Sequence, residues 1–182
     1  MEILGVAGSL RRGSYNRMLL RAAGASLPPG VRFTEYDGLK AIPAFDEDDE
    51  ASLPLSVSRW RAAIAGAGGI LFATPEYNSS VPGHLKNAID WASRPFSATV
   101  LRNKPVAVIG ASTGMFGAVW SQAETRKALA AAGARVIDRE LAVPFAHEAF
   151  DETGSLRDGD LTLELDNILV ELLDAIKQRV VA

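Results

Sequence analysis

The chain alternates between short apolar runs and longer segments in which apolar residues recur with helical spacing. The runs at 68–74 and 105–111 are nearly continuous, which is typical of parallel strands covered by helices on both faces. The run at 31–36 alternates and indicates a strand that is less buried than its neighbours. In chain order, the predicted strands are residues 2–8, 31–36, 68–74, 105–111 and 135–141.

Helical patterns fill the segments between these strands. Segments 15–26 and 117–132 are rich in alanine and leucine and predict two helices. Three further segments each carry one apolar stripe: Leu53, Val57, Trp60 and Ile64; then Leu85, Ala88, Ile89 and Ala92; then Leu161, Leu165, Ile168, Leu172, Ile176 and Val180. Five strands that alternate with five helices predict an α/β fold, with a parallel sheet between two helical layers.

A polar loop that contains glycine follows the first, third and fourth strands. These loops are residues 8–17, 74–83 and 110–117. Right-handed crossovers leave few topologies, and the strand order 2-1-3-4-5 places the ends of these three strands side by side. Ligands of open α/β sheets bind outside the carboxyl ends of the strands, so the three loops predict one binding site.

The composition limits the classes of protein to which the chain can belong. The 182 residues are 48% hydrophobic and 23% charged, with no internal repeat or linker, which predicts a single globular domain. A net charge of −3 disfavours nucleic acid as a partner, and the absence of cysteine excludes thiolate catalysis and disulfides. No apolar run approaches the roughly 20 residues of a membrane span. The first residues open into a strand without a signal-peptide pattern, so we expect no membrane association and a cytoplasmic location.

The first loop has the residues that a phosphate requires. Ser9 and Ser14 supply hydroxyls, Asn16 an amide, and Arg11 or Arg17 a positive charge at the start of a predicted helix. The loop matches neither the dinucleotide pattern Gly-x-Gly-x-x-Gly nor the nucleoside-triphosphate pattern that ends in Gly-Lys-Ser/Thr. The alternative is a Ser/Asn helix cap with surface arginines.

The second loop is bracketed by Pro75 and Pro82, which fix the backbone and could hold the edge of a flat heterocycle beside Tyr77 and Asn78. Glu76 could cap the N–H groups of its own loop or face a partner subunit, and we do not expect it to be a catalytic acid. The third loop could direct backbone donors at negative charge on a ligand, although it could equally be a tight strand-to-helix turn. Trp91 is expected in the core or an interface.

Histidine, the usual acid–base residue near neutral pH, is scarce in this chain. His84 and His147 are the only histidines, and neither lies in a metal-ligand spacing, so both are expected to be structural. No Gly-x-Ser-x-Gly elbow is present, which disfavours a serine hydrolase. A site rich in backbone donors and poor in histidine suits a redox cofactor that supplies its own chemistry.

Segments 8–16, 75–91 and 110–117 resemble the NADPH-dependent FMN reductase family, whose flavodoxin-like NAD(P)H:acceptor reductases include quinone, chromate and azo reductases. The resemblance extends from Ile3 to about Arg139. It implies a flavodoxin-like three-layer α/β/α sandwich and a single FMN-binding domain over residues 1–182. By motif position it implies these FMN contacts: Ser9, Arg11, Ser14, Tyr15 and Asn16 at the phosphate; Pro75, Glu76, Tyr77 and Asn78 at the isoalloxazine edge; and Ser112, Thr113 and Gly114 near the ring or ribityl chain.

The resemblance also bears on assembly. Relatives are usually dimers or tetramers with the flavin near a subunit interface, which would make helix 84–93 an interface helix. Some relatives have an arginine near that interface at the position of Trp120. A homodimer is therefore expected here, with a homotetramer as the alternative.

The main functional hypothesis is an FMN-dependent NAD(P)H oxidoreductase with ping-pong turnover. Hydride passes from NADPH or NADH to FMN, and two electrons then pass to a quinone, an azo compound, a metal oxyanion or free flavin. The first alternative is a flavodoxin-like electron carrier that does not oxidise NAD(P)H directly. The second is a binding module without redox function. The sequence leaves open the acceptor, the choice between NADPH and NADH, and whether FMN stays bound or exchanges as a substrate.

Overall fold

The computed structural model describes the backbone of residues 1–181 and the side chains of residues 1–179. The strands are β1 Glu2–Ala7, β2 Arg32–Tyr36, β3 Gly69–Thr74, β4 Pro105–Ala111, β5 Arg135–Val136 and β6 Ala142–Val143. The α-helices are α1 Tyr15–Ala25, α2 Leu55–Gly66, α3 Gly83–Ala92, α4 Val119–Ala131 and α5 Gly159–Val181.

The sheet is parallel and has the order β2-β1-β3-β4-β5, and β6 also pairs with β4. Alternate residues of the central strands point to opposite faces, as expected for a pleated strand. Ile3 and Leu71 pack with α1 and α5, while Leu4 and Ile70 pack with α2, α3 and α4. The predicted strand order and the three-layer α/β/α sandwich are confirmed.

The fifth predicted strand, 135–141, is divided. β5 ends at Val136 and β6 begins at Ala142, and both pair with β4. The polar residues between them turn toward neighbouring helices: Arg139 bonds Glu164 and Glu171 of α5. Arg126 of α4 donates to the Arg139 carbonyl and to Glu140. The Ile137 N–H still donates to the Val106 carbonyl, and the Leu141 carbonyl accepts from the Gly110 N–H, so the ladder is interrupted between these two residues.

The predicted apolar stripes lie in the core with small changes at the helix ends. Leu53 precedes α2, because Pro54 occupies the N-cap and the helix begins at Leu55. Trp60 is fully buried, as are the other predicted positions of that helix. The stripe of α5 is confirmed as far as the side chains are described, and the side chain of Val180 lies outside that range. Within the described residues, no helix combines the length and the apolar character needed to cross a membrane.

Candidate functional site

The register of the central strands brings the three loops to one edge of the sheet. Ala7 is level with Ala73, and Thr74 is level with Gly110, so β1, β3 and β4 end close together. A cavity of about 220 Å³ opens at this edge. It is lined by Ser9, Arg11, Ser14, Tyr15, Asn16, Pro75, Glu76, Tyr77, Ala111, Ser112 and Thr113.

The cavity is therefore lined by every FMN contact that the family resemblance implied except Asn78 and Gly114. Asn78 is exposed on the second loop, and Gly114 follows the lining residues of the third. Ala111 lines the cavity although the sequence did not single it out. Its position as the last residue of β4, directly before Ser112, was the available signal.

The first loop presents free hydrogen-bond donors at the start of α1. Ser14 is the N-cap, and its hydroxyl accepts from the Arg17 N–H at 3.3 Å. Within the described residues, the backbone N–H groups of Tyr15 and Asn16 have no acceptor. Arg11 donates to the Gly13 carbonyl at 2.6 Å, and its guanidinium carbon lies 5.1 Å from the centre of the Tyr15 ring. Two N–H groups, a helix N-terminus and an adjacent guanidinium form an anion-binding arrangement.

The two candidate arginines of this loop have different surroundings. Arg17 lies 3.4 Å from Glu35 of β2 in an ion pair, away from the cavity. Arg11 lines the cavity and is exposed. Arg11 is therefore the side chain that can supply positive charge to an anion bound here.

The amide of Asn16 is directed at β4. Its Nδ2 donates to the Ala111 carbonyl and its Oδ1 accepts from the Ala111 N–H, both at 2.9 Å. Asn16 is 3% exposed, so this pairing is shielded from water. The contact that Asn16 offers the cavity is therefore its backbone N–H, in place of the amide considered from the sequence.

The second loop is a tight reverse turn. Tyr77 and Ser80 exchange two backbone hydrogen bonds of 3.2 and 3.1 Å. Asn78 and Ser79 have φ values of 54° and 56°, the left-handed conformation that a type I′ turn requires at both central positions. The turn holds Tyr77 at the rim of the cavity with 51% of its surface exposed.

Glu76 caps a helix on a neighbouring segment. Its Oε2 accepts from the N–H groups of Trp120 and Ser121 at 3.0 and 3.1 Å. The N-cap residue of α4 is Ala118, which has φ 65° and no side-chain cap of its own. The carboxylate thus supplies the missing cap, and its negative charge interacts favourably with the positive end of the helix dipole. The N–H groups that Glu76 caps thus belong to α4, whereas the sequence suggested those of its own loop.

The third loop is held against β6. The Ser112 N–H donates to the Val143 carbonyl at 3.1 Å, and the Ala146 N–H donates to the Ser112 carbonyl at 2.9 Å. Gly117 has φ 57°, and a Cβ there would lie 2.5 Å from the Ala142 carbonyl carbon. Only glycine permits this close approach of two backbones.

His84 links two of the loop-bearing elements. Its Nε2 lies 2.7 Å from the Gly8 carbonyl, which joins the start of α3 to the end of β1. The sequence predicted a structural histidine and gave no indication of this partner. His147 is on the surface beside Glu148, and among the described residues no cluster of acidic and histidine side chains could hold a metal ion. Trp91 is fully buried, as expected for a core residue.

Large apolar side chains are exposed on the third loop and on the segments packed against it, close in the chain to the cavity residues Ser112 and Thr113. Met115, Phe116 and Trp120 are 65%, 53% and 45% exposed, and the rings of Phe116 and Trp120 meet edge-on at 4.9 Å. Phe145 is 50% exposed, and its N–H donates to the Gly114 carbonyl in the same loop cluster. We call these four residues the apolar rim. Exposed apolar side chains that are grouped together are typical of surfaces that bind a ligand or a protein.

Comparison with known proteins identifies the family. The chain matches the model of the NADPH-dependent FMN reductase family over residues 1–148. It is 42% identical over 160 residues to an NAD(P)H-dependent FMN reductase from Pseudomonas aeruginosa, a match that covers 87% of this chain and 85% of that one. It is 41% identical over 126 residues to a 2-hydroxy-1,4-benzoquinone reductase from a Burkholderia species, covering 69% and 68%.

The solved structures agree with this result. The flavoenzyme FerB, an NAD(P)H:(acceptor) oxidoreductase from Paracoccus denitrificans, superposes with a TM-score of 0.88 at 32% identity and with 97% of each chain covered. The chain belongs to the NADPH-dependent FMN reductase family. It is an oxidoreductase that uses FMN and NAD(P)H, which confirms the enzyme hypothesis over the electron-carrier and non-redox alternatives.

The donors of the cavity fit this cofactor. A phosphate monoester is a dianion with several acceptor oxygens, and the first loop offers free N–H groups, two hydroxyls and one guanidinium. The second and third loops line the remaining wall of the same cavity, where a ring and its polyol chain would lie.

Proposed function

We propose that FMN binds in this cavity with its phosphate on the first loop. The hydroxyls of Ser9 and Ser14, the guanidinium of Arg11, and the N–H groups of Tyr15 and Asn16 hold the phosphate. Pro75, Glu76 and Tyr77 contribute backbone and ring surface at the isoalloxazine edge, next to Asn78. Ser112 and Thr113, followed by Gly114, flank the ring or the ribityl chain. The support is that most of these residues line one cavity at the N-terminus of α1, where the backbone N–H groups of Tyr15 and Asn16 have no acceptor among the described residues.

The protein's own contribution is placement and electrostatics. Bound FMN supplies the redox chemistry, accepting hydride from NADPH or NADH and passing two electrons to a second substrate at the same site in a ping-pong cycle. The chain fixes the position of the ring through loops that are held by hydrogen bonds to neighbouring elements. Fixed backbone donors can favour negative charge on the ring without having to reorganise.

We propose a quinone as the acceptor. A relative at 41% identity is named a benzoquinone reductase. The apolar rim is the observation in this chain that supports the choice, because it offers a neutral aromatic molecule a surface to pack on. A chromate-type oxyanion would gain little from such a surface. Azo compounds and free flavin are also aromatic and are the competing acceptors.

We further propose that residues 1–182 form one domain that works as a cytoplasmic homodimer. Both core clusters pack on the same sheet, which supports a single domain. The apolar rim would be partly covered by a second copy, leaving room for substrate. Light scattering of the purified protein separates dimer from tetramer and from monomer.

The experiment that tests the proposed function is an anaerobic reduction. The protein is loaded with FMN, freed of excess flavin, and mixed with NADPH or with NADH while the flavin absorbance is followed. Loss of the band within seconds, followed by its return when benzoquinone is added, is the expected result. A flavin band that persists with both nicotinamides would overturn the proposal. Return of the band with chromate but not with benzoquinone would overturn the proposed acceptor.

A further inference from the structure

Two carboxylates join the second loop to α4 in opposite directions. Glu76 of the loop reaches the N-terminus of α4, as described above. Glu124 of α4 reaches back to the loop, where its Oε2 accepts from the Ser80 hydroxyl and from the Val81 N–H, the latter at 3.2 Å. Glu124 is the sixth residue of α4 and does not line the cavity.

The part of the loop that Glu124 contacts is strained and needs support. Ser80 closes the two-residue turn whose central residues, Asn78 and Ser79, are both left-handed. Such residues cost free energy and keep their conformation only when their surroundings fix it. Pro82 follows directly and lacks an N–H, so the Val81 N–H is the last backbone donor before α3.

The two bonds to Glu124 are charge-assisted. The Ser80 hydroxyl, and next the Val81 N–H, lower the pKa of the Glu124 carboxyl. The carboxylate is therefore ionised at neutral pH, and it accepts from both donors with a single oxygen.

We propose that Glu124 is a positioning residue for the flavin site. It fixes Ser80 and Val81, and through them it holds the Tyr77–Ser80 turn against the cavity in the conformation that receives FMN. This inference rests on the proposed function, since the turn matters for turnover only if FMN binds beside it. Without Glu124 the turn populates other conformers. The apparent affinity for FMN then falls in proportion to the fraction of molecules whose turn keeps the conformation that binds FMN.

The test combines FMN binding with hydrogen exchange. Glu124→Leu removes the acceptor, whereas Glu124→Gln keeps an amide oxygen that can accept both bonds without charge. Asp166→Leu is the matched control, because it removes an exposed carboxylate from α5 on the opposite face of the sheet. FMN dissociation constants are measured by flavin fluorescence, and exchange of the Val81 amide is measured in the flavin-free proteins.

We expect Glu124→Leu to raise the FMN dissociation constant about tenfold and to speed exchange at Val81. Glu124→Gln should keep most of the FMN affinity and most of the protection of the Val81 amide. Asp166→Leu should change neither the dissociation constant nor the exchange rate. Ser80→Ala added to Glu124→Leu should weaken FMN binding no further, because the two residues act through one contact. Equal dissociation constants for the wild type and Glu124→Leu, or fully additive effects of Ser80→Ala, would overturn the proposal.

The exchange measurement separates the two possible failures. If the wild-type protein does not bind FMN, the proposed function fails, and exchange at Val81 still reports whether Glu124 holds the turn. If FMN binds tightly and exchange at Val81 is the same in the wild type and Glu124→Leu, the positioning role fails alone.

Discussion

The amide of Asn16 and the backbone of Ala111 form a two-bond pair, each bond 2.9 Å long, between residues that lie 95 positions apart in the chain. The pair ties the first turn of α1 to the end of β4, so the first and third loops keep a fixed separation. We expect Asn16→Ala to lower the free energy of unfolding by about 2 kcal/mol, because it leaves a buried N–H and a carbonyl unpaired. Urea unfolding of the flavin-free protein measures this, and an unchanged midpoint would contradict the structural role.

The cap that Glu76 provides to α4 should be visible in stability. Glu76→Ala removes the acceptor of two N–H groups, and we expect a loss of about 1 kcal/mol in the free energy of unfolding. Glu76→Gln keeps an acceptor oxygen and should lose less than half as much. If the alanine variant is as stable as the wild type, the carboxylate does not act as a cap.

The glycines of the third loop should differ in their tolerance of a methyl group. Gly117→Ala places a Cβ 2.5 Å from the backbone of Ala142 in a left-handed residue, and we expect about 2–3 kcal/mol of destabilisation. Gly114→Ala meets nothing closer than the Ser112 hydroxyl at 3.7 Å and should stay within about 0.5 kcal/mol of the wild type. Thermal unfolding of the two variants compares them directly, and equal losses would contradict the backbone contact between the third loop and β6.

The contribution of the buried residue Lys104 to the free energy of unfolding should depend on pH. The residue is 1% exposed, and its ammonium donates to the Ala67 carbonyl at 2.5 Å and the Ala65 carbonyl at 3.3 Å, near the end of α2. Burial, and next the positive charge of Arg179, lower its pKa to about 8. The unfolded chain, with a pKa near 10.5, therefore binds more protons between about pH 8 and 10.5, so this group makes the free energy of unfolding rise with pH in that window.

The comparison is with Lys104→Met, which lacks the titrating group. The difference in the free energy of unfolding between wild type and variant should move in favour of the wild type as pH rises from 8 to 10. Its slope should not exceed about 1.4 kcal/mol per pH unit, the limit for one proton. Lys177→Met, on the surface, is the control. A difference that does not depend on pH would show that Lys104 has an ordinary pKa in the folded protein.

The architecture could be predicted from the sequence because its signals are local. The continuous apolar runs at 68–74 and 105–111 need only their own residues to indicate buried parallel strands. Crossover handedness then leaves few strand orders, and the positions of the three polar loops favour one of them. The division of 135–141 could not be predicted, because it depends on bonds from Arg139 to α5 and from Arg126 to the segment.

The site was predictable to the level of its loops and less so at individual side chains. Glycines, prolines and serines after three strands indicated which segments meet. The partner of Asn16 lies 95 positions away, those of Glu76 lie 44 and 45 positions away, and those of Glu124 lie 44 and 43 positions away; no local pattern specifies them. Each of these side chains joins two elements, so its role is visible only once those elements are packed together.

The most direct test of the central claim compares the dissociation constants of FMN and riboflavin, which differ only in the phosphate. We expect the wild type to prefer FMN by about a hundredfold or more, since several charge-assisted bonds are lost with riboflavin. Arg11→Ala should reduce that preference at least about tenfold, and Arg12→Ala, an exposed neighbour outside the cavity, should leave it intact. Equal affinity of the wild type for the two flavins would contradict a phosphate site in the first loop.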